Sequence, residues 1–126
     1  MPHERLQEFV IIDYNRETEI AAILKQEDHE TMVGLGQFAI EPNSHSAEIA
    51  FVVRDQYQNK GIGTELLSYL TLLAKKQGLL GFTAEVLVEN QPMLHLFQQA
   101  GFLMDKRIEE QVYELKMTFV EAMSHV

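Results

Sequence analysis

The chain has 126 residues, 46% of them hydrophobic, which suits one domain with a core of its own. It carries 10 Lys and Arg against 19 Asp and Glu, a formal net charge of −9, and this excludes the basic footprint of a nucleic-acid binder. It has no cysteine, so disulfides and thiol catalysis are excluded, and no apolar run approaches the ~18 residues of a membrane helix. No charged, apolar and small-residue leader opens the chain, so the expected compartment is the cytoplasm. The acidic balance suits a basic partner, such as a lysine-bearing protein or an amine; solubility is its simpler cause. The histidines (His3, His29, His45, His95, His125) are scattered without metal-ligand spacing, so no metal is expected.

Pro2 to Phe9 reads as a short helix, with Pro2 suited to its first turn. Glu19 to Gln26 reads as a strand, Glu27 to Glu30 as a polar turn, and Thr31 to Ile40 as a second strand. Gly34 and Gly36 mark bulges or close approaches in that strand. Glu41 to Ser46 is a loop around Pro42-Asn43-Ser44. Ala47 to Val53 is a nearly continuous apolar run, which fits a central strand buried on both faces. Ile62, Leu66, Leu70, Leu73 and Ala74 recur at helical spacing, and Gly78 stands where a helix ends. Phe82 to Val88 is the next strand. Asn90 caps a helix with Pro92 in its first turn, and Gly101 closes it. Phe102 to Ile108 and Val112 to Phe119 form a last pair of strands. In the latter, Tyr113, Leu115, Met117 and Phe119 alternate with Glu114, Lys116 and Thr118. The two helical crossovers imply parallel pairing in the middle and antiparallel pairing outside. The fold class is α+β, a mixed, mostly antiparallel sheet with central parallel strands flanked by helices.

Gln58-Asn59-Lys60-Gly61-Ile62-Gly63 joins the apolar strand to the first long helix. Glycines let the backbone come close to a ligand, and a helix start offers unpaired N–H groups to an anion. This turn is therefore a candidate phosphate cradle.

The chain resembles the GNAT superfamily of N-acetyltransferases. Its acetyl-CoA signature, Gln/Arg-x-x-Gly-x-Gly/Ala, falls on Gln58, Gly61 and Gly63. The preceding A-E-I-A-F-V-V-R-D, the later E-V-L-V-E-N-Q-P-M-L and the closing A-G-F of Ala100 to Phe102 fit the same pattern. The match runs from about Glu19 to Phe119. Within the superfamily the chain is most similar to Pat-type bacterial protein lysine acetyltransferases, which act on acyl-CoA synthetases and are often fused to other domains. The opening P-H-E-R-L-Q-E-F and the following I-D-Y-N-R-E belong to that similarity. The resemblance implies a single GNAT domain over residues 1–126, short at its N-terminus. The family's first strand and helix, which shape the acceptor side, read as missing. An artificially shortened chain, a natural short form and a domain completed by a partner stay open as explanations; a homodimer and a fused or partner domain are the open partner readings.

The resemblance also implies site residues. The backbone of Phe51, Val52 and Val53 would pair with the pantetheine of acetyl-CoA as if with another strand. A splay between this strand and the next would admit the thioester. The amides of Asn59, Lys60, Gly61, Ile62, Gly63 and Thr64 would hold the pyrophosphate, with the Thr64 hydroxyl and the charges of Lys60 and Arg54 beside them. Asn90 would be a further cofactor-side contact. The N–H of Val52 or Val53 would face the developing oxyanion. Many relatives place a tyrosine seven residues after this asparagine as general acid; here that position is Phe97, which cannot donate a proton.

Glu48 is the candidate general base. It is the one charged residue inside the apolar run, and burial would raise its pKa. The alternative is a strand-end glutamate, exposed or paired with a neighbouring charge. Glu85 would lie near Glu48 if their strands pair in parallel, or would form an ion pair with Arg54 or Lys106. His95 is a candidate proton shuttle, or a surface or packing residue. The expected function is acetyl transfer from acetyl-CoA directly to an amine, on a protein lysine. Acetylation of a small amine and a non-catalytic acyl-CoA-binding regulatory module are the alternatives.

Overall fold

A strand opens the described part of the chain. The computed structural model describes residues 6–13, 17–58 and 61–120. Strand β1 covers Leu6–Asp13. The helix expected over Pro2 to Phe9 is thereby corrected from Leu6 onward; residues 2–5 lie outside the described residues. The physical reason lies in the sequence of β1 itself, which runs into β-branched Val10, Ile11 and Ile12. It pairs antiparallel with β2 (Glu17–Gln26) along its whole length, from Leu6↔Lys25 to Asp13↔Thr18. A complete ladder overrides the weak helix signal of an N-terminal proline.

β3 (His29–Ile40) returns antiparallel to β2, with a register shift between Ala22 and Ile23. β4 (Ser46–Val53) leads through a short 3-10 turn, Asp55–Tyr57, to α1 (Ile62–Lys76). Then come β5 (Gly81–Leu87), α2 (Gln91–Gln99), β6 (Leu103–Glu109) and β7 (Val112–Thr118). The sheet has seven strands in the order β1-β2-β3-β4-β5-β7-β6. β4 and β5 are parallel, and the pairs β5–β7 and β6–β7 are antiparallel. This is the mixed sheet that the crossovers implied.

The chain divides into two compact units, residues 1–39 with 50–72, and residues 40–49 with 73–126. In the first unit, α1 lies close on β3. A Cβ at Gly36 would stand 2.8 Å from Leu70 Cδ1, and one at Gly34 would stand 3.1 Å from Leu66 Cδ1. Both glycines are thus close approaches, and Gly34 also adjoins the irregularity of the ladder: Ala22↔Gly34 is followed by Ile23↔Met32, which leaves Val33 of β3 as the extra residue. Ile20, Ala22, Val33, Ile62, Leu66 and Leu70 are buried in this unit. In the second unit, Phe82 and Phe119 meet edge to face with centroids 5.1 Å apart, and Phe102 lies against both. Such pairs add about 1 kcal/mol to the burial of their area. Leu94 and Phe97 of α2, Leu115 and Met117 are buried in the same unit.

Along β4, Ala47 and Ile49 are buried, whereas Glu48, Ala50 and Val52 are exposed. The expectation of a strand buried on both faces is corrected. An unbroken apolar run does not show which face a neighbour covers, and here one face of β4 stays open.

Candidate active site

In the first unit, the exit of β4 is tied back to β3: the Arg54 amide donates to the Val33 carbonyl at 2.9 Å. Phe51 and Val53 are half-buried, and the Val52 side chain is 62% exposed. The Gln58 side chain reaches back and donates from Nε2 to the Val53 carbonyl at 3.0 Å and to Asp55 Oδ1 at 3.3 Å. Gln58 thus braces the turn that leads to the glycine loop. Asn59 and Lys60 lie outside the described residues. Gly61 has φ +87°, and a Cβ placed on it would meet nothing within 4 Å. Its carbonyl accepts from the Glu65 amide at 3.0 Å, which makes it the first acceptor of α1. The amides of Ile62, Gly63 and Thr64 precede that first donor, so the helix itself offers them no partner. Ile62 is 2% exposed, so it has only its backbone to offer a ligand, while Thr64 is exposed.

In the second unit, the parallel ladder is short. It comprises Ser46↔Gly81, Ala47↔Phe82 and Glu48↔Thr83, and ends there. β5 continues to Leu87 and stays paired with β7 as far as Leu87↔Val112. Glu48 therefore occupies the last rung of the β4–β5 ladder. It is exposed, which corrects the expected burial. It lines a cavity of about 610 Å³ together with the carboxylates Glu41, Glu85, Asp105 and Glu114 and the cations Arg107 and Lys116. Sheet register explains the assembly. Glu48, Thr83, Lys116 and Asp105 form one row across four strands, and Glu85, Glu114 and Arg107 form the next.

Glu85 lines the same cavity as Glu48, as parallel pairing allowed. The ion pair considered for it is not found: among the described residues Glu85 has no ionic partner within 4.0 Å. Lys106 instead lies over the Tyr113 ring at 5.0 Å. Arg107, from the neighbouring rung, meets Glu114 at 3.7 Å. Asn90 Oδ1 accepts from the Met93 amide at 3.3 Å and so caps α2. His95 is exposed, and Phe97 belongs to the core at 2% exposure.

Sequence reasoning missed Glu41, Thr83, Asp105, Arg107, Glu114 and Lys116 as cavity residues. The alternation in β7 placed Glu114 and Lys116 on one face. Which residues of other strands share that face depends on register between distant segments, and no local pattern carries it. Among the described residues no group of His, Asp and Glu side chains is placed to hold a metal ion.

A glycine-led helix start whose first amides have no partner in the helix is a frame for a phosphate-bearing ligand. The chain belongs to the Acetyltransferase (GNAT) family, whose sequence profile matches residues 1–102. It is similar to Acetyltransferase Pat of Mycolicibacterium smegmatis, 39% identical over 59 residues, which is 47% of this chain and 18% of that protein. Among solved structures it is similar to the GNAT domain of S. lividans PAT, with a TM-score of 0.70 and 26% identity over 82% of this chain and 61% of that one. A cAMP-binding acyltransferase from Mycobacterium smegmatis is similar at TM-score 0.69 and 26% identity, over 90% of this chain and 35% of that one. Spermidine N-acetyltransferase from Vibrio cholerae shares the fold at TM-score 0.71 and 19% identity, over 88% of this chain and 69% of that one. The chain thus spans less than two thirds of the length of these Pat relatives.

Proposed function

We propose that this chain transfers the acetyl group of acetyl-CoA directly to an amine, and that the amine is a lysine side chain on an acyl-CoA synthetase-like protein. The observation that carries this reading is Glu48, a carboxylate on the open face of β4 at the last rung of the β4–β5 ladder, lining an acidic cavity. Similarity to Pat proteins supports the choice of a protein lysine.

When bound, acetyl-CoA supplies the acetyl group as a thioester. The residues present fit such a donor. Gly61, immediately before the amides that begin α1, leaves open the space that a Cβ would enter. Gly61, Ile62, Gly63 and Thr64, with Asn59 and Lys60 before them, are assigned to the pyrophosphate. The backbone of Phe51, Val52 and Val53 is assigned to the pantetheine, with the N–H of Val52 or Val53 opposite the charge that develops on the carbonyl oxygen. Gln58 acts by bracing Val53. Asn90 commits its oxygen to α2 and retains its amide NH2 as a donor.

A lysine ammonium, with a pKa of ~10.4, must lose a proton before its nitrogen can attack. Glu48 accepts that proton, directly or through a water. The nitrogen then bonds to the acetyl carbon. The carbon–sulfur bond breaks with its electron pair going to sulfur, which takes up a proton, and the nitrogen releases its second proton. No enzyme nucleophile is needed, in keeping with a chain without cysteine.

The test is incubation with acetyl-CoA and a panel of acyl-CoA synthetases, followed by mass spectrometry. Acetyl-lysine on a synthetase is expected, and Glu48→Gln should slow its formation about 10²- to 10⁴-fold. Labelling that persists unchanged in the variant would remove Glu48 as the base. Acetyl-CoA binding without transfer to any acceptor would point to the regulatory module instead.

A further inference from the structure

Of the cavity's polar groups the mechanism above uses only Glu48, and Glu41 and Thr83 are among those it leaves unused. Both are half-buried, and both line the cavity beside Glu48. Thr83 Oγ1 donates to Glu41 Oε2 at 2.9 Å. The other oxygen of the same carboxylate, Oε1, accepts from Ser46 Oγ at 3.0 Å. Ser46 is held in turn, since its amide donates to Ser44 Oγ at 3.0 Å. Glu41 is thus anchored at both oxygens, one on each side of the β4–β5 ladder.

A threonine hydroxyl has one proton to give and two lone pairs to accept with. Here the proton is committed to a carboxylate, a charge-assisted bond stronger than one to a neutral acceptor. What Thr83 can still offer the cavity is acceptance alone. Thr83 is also the register partner of Glu48, so both side chains stand on one face of neighbouring strands. Such strands run about 4.7–4.9 Å apart. The last rung therefore presents two acceptors side by side, one of them charged. A primary ammonium, with its several N–H donors, matches that pair.

We infer that Thr83 Oγ1 is the second hydrogen-bond acceptor for the incoming amine, holding one N–H while Glu48 takes a proton from the same nitrogen, and that Glu41 is a positioning residue that fixes the Thr83 hydroxyl. The inference rests on the acetyl-transfer reading and deepens it. With the nitrogen held at two points, its lone pair has a defined direction when the proton leaves.

Steady-state transfer from acetyl-CoA to Nα-acetyl-lysine and to the synthetase panel tests this with three variants. Thr83→Val keeps the volume and removes the acceptor. It should raise the KM for the amine about tenfold and lower kcat, while the KM for acetyl-CoA stays unchanged. Thr83→Ser should return both constants to within about twofold of wild type. Glu41→Gln keeps the shape but replaces one acceptor with a donor, and should raise the amine KM alone. A Thr83→Val protein that matches wild type overturns the inference. So does one in which both KM values rise together, or a serine that restores nothing. If Thr83→Val does not fold, Glu41→Gln and Thr83→Ser decide between the same outcomes. Wild-type protein that acetylates no acceptor removes the acetyl-transfer reading along with the inference, whereas active wild type with an indifferent Thr83→Val removes the inference alone.

Discussion

Gly61 and Glu48 show how much a single residue can announce. Gly61 stood out because a glycine between a strand and a helix is a turn residue, and its φ of +87° is where glycine is favoured. Gly61→Ala should cost about 1–2 kcal/mol of stability. Its Cβ would enter open space rather than a packed core, so that cost comes from the backbone alone. Acetyl-CoA affinity should fall as well, about tenfold or more, because a methyl group on Gly61 would crowd the phosphates at the start of α1. Denaturant unfolding and isothermal titration of the same variant separate the two effects; a stability loss with unchanged affinity would leave Gly61 a folding residue only. Glu48 was legible as a charge within an apolar run. Its exposure was not, since a strand alternates its faces and only packing decides which of them is covered.

At the scale of elements, local signals succeeded where they act through the backbone close at hand. Asn90, Pro92 and Gly101 bounded a helix, and α2 runs from Gln91 to Gln99 with the Asn90 side chain on the Met93 amide. Asn90→Ala should cost about 0.5–2 kcal/mol, and Asn90→Asp should recover most of it. Thermal melts of the pair measure this. Because the capping oxygen and the free NH2 are different atoms, Asn90→Asp should keep the cap yet weaken acetyl-CoA binding; unchanged binding would make Asn90 a cap and nothing more. Local signals failed at β1, where the proline of Pro2 suggested a helix and the ladder with β2 made a strand from Leu6. A strand is stabilised by a partner distant in sequence, and propensity within the segment does not reveal that partner.

For the whole molecule, a bound acyl-CoA should act through linkage. Acetyl-CoA at 100 times its Kd adds about 2.7 kcal/mol to stability, a rise in melting temperature of roughly 10 °C for a chain of this size. Absence of any shift at high acetyl-CoA would count against the donor itself, independently of any acceptor. By itself the sequence determined the order of strands and helices after β1, the glycine turn at the start of α1, and the position of Glu48 in β4. These follow from spacing, caps and backbone freedom, which act over a few residues. Only the tertiary structure decided that the β4–β5 ladder ends at Glu48↔Thr83 and that one face of β4 stays open. It alone gathered Glu41, Thr83, Asp105, Arg107 and Lys116 into the same cavity as Glu48. Glu41 reaches the cavity from the loop after β3, held by Ser46 and Thr83, and the others meet through strand register across segments up to 68 positions apart, from Glu48 to Lys116; register is set by the packing of whole faces rather than by any short stretch of chain.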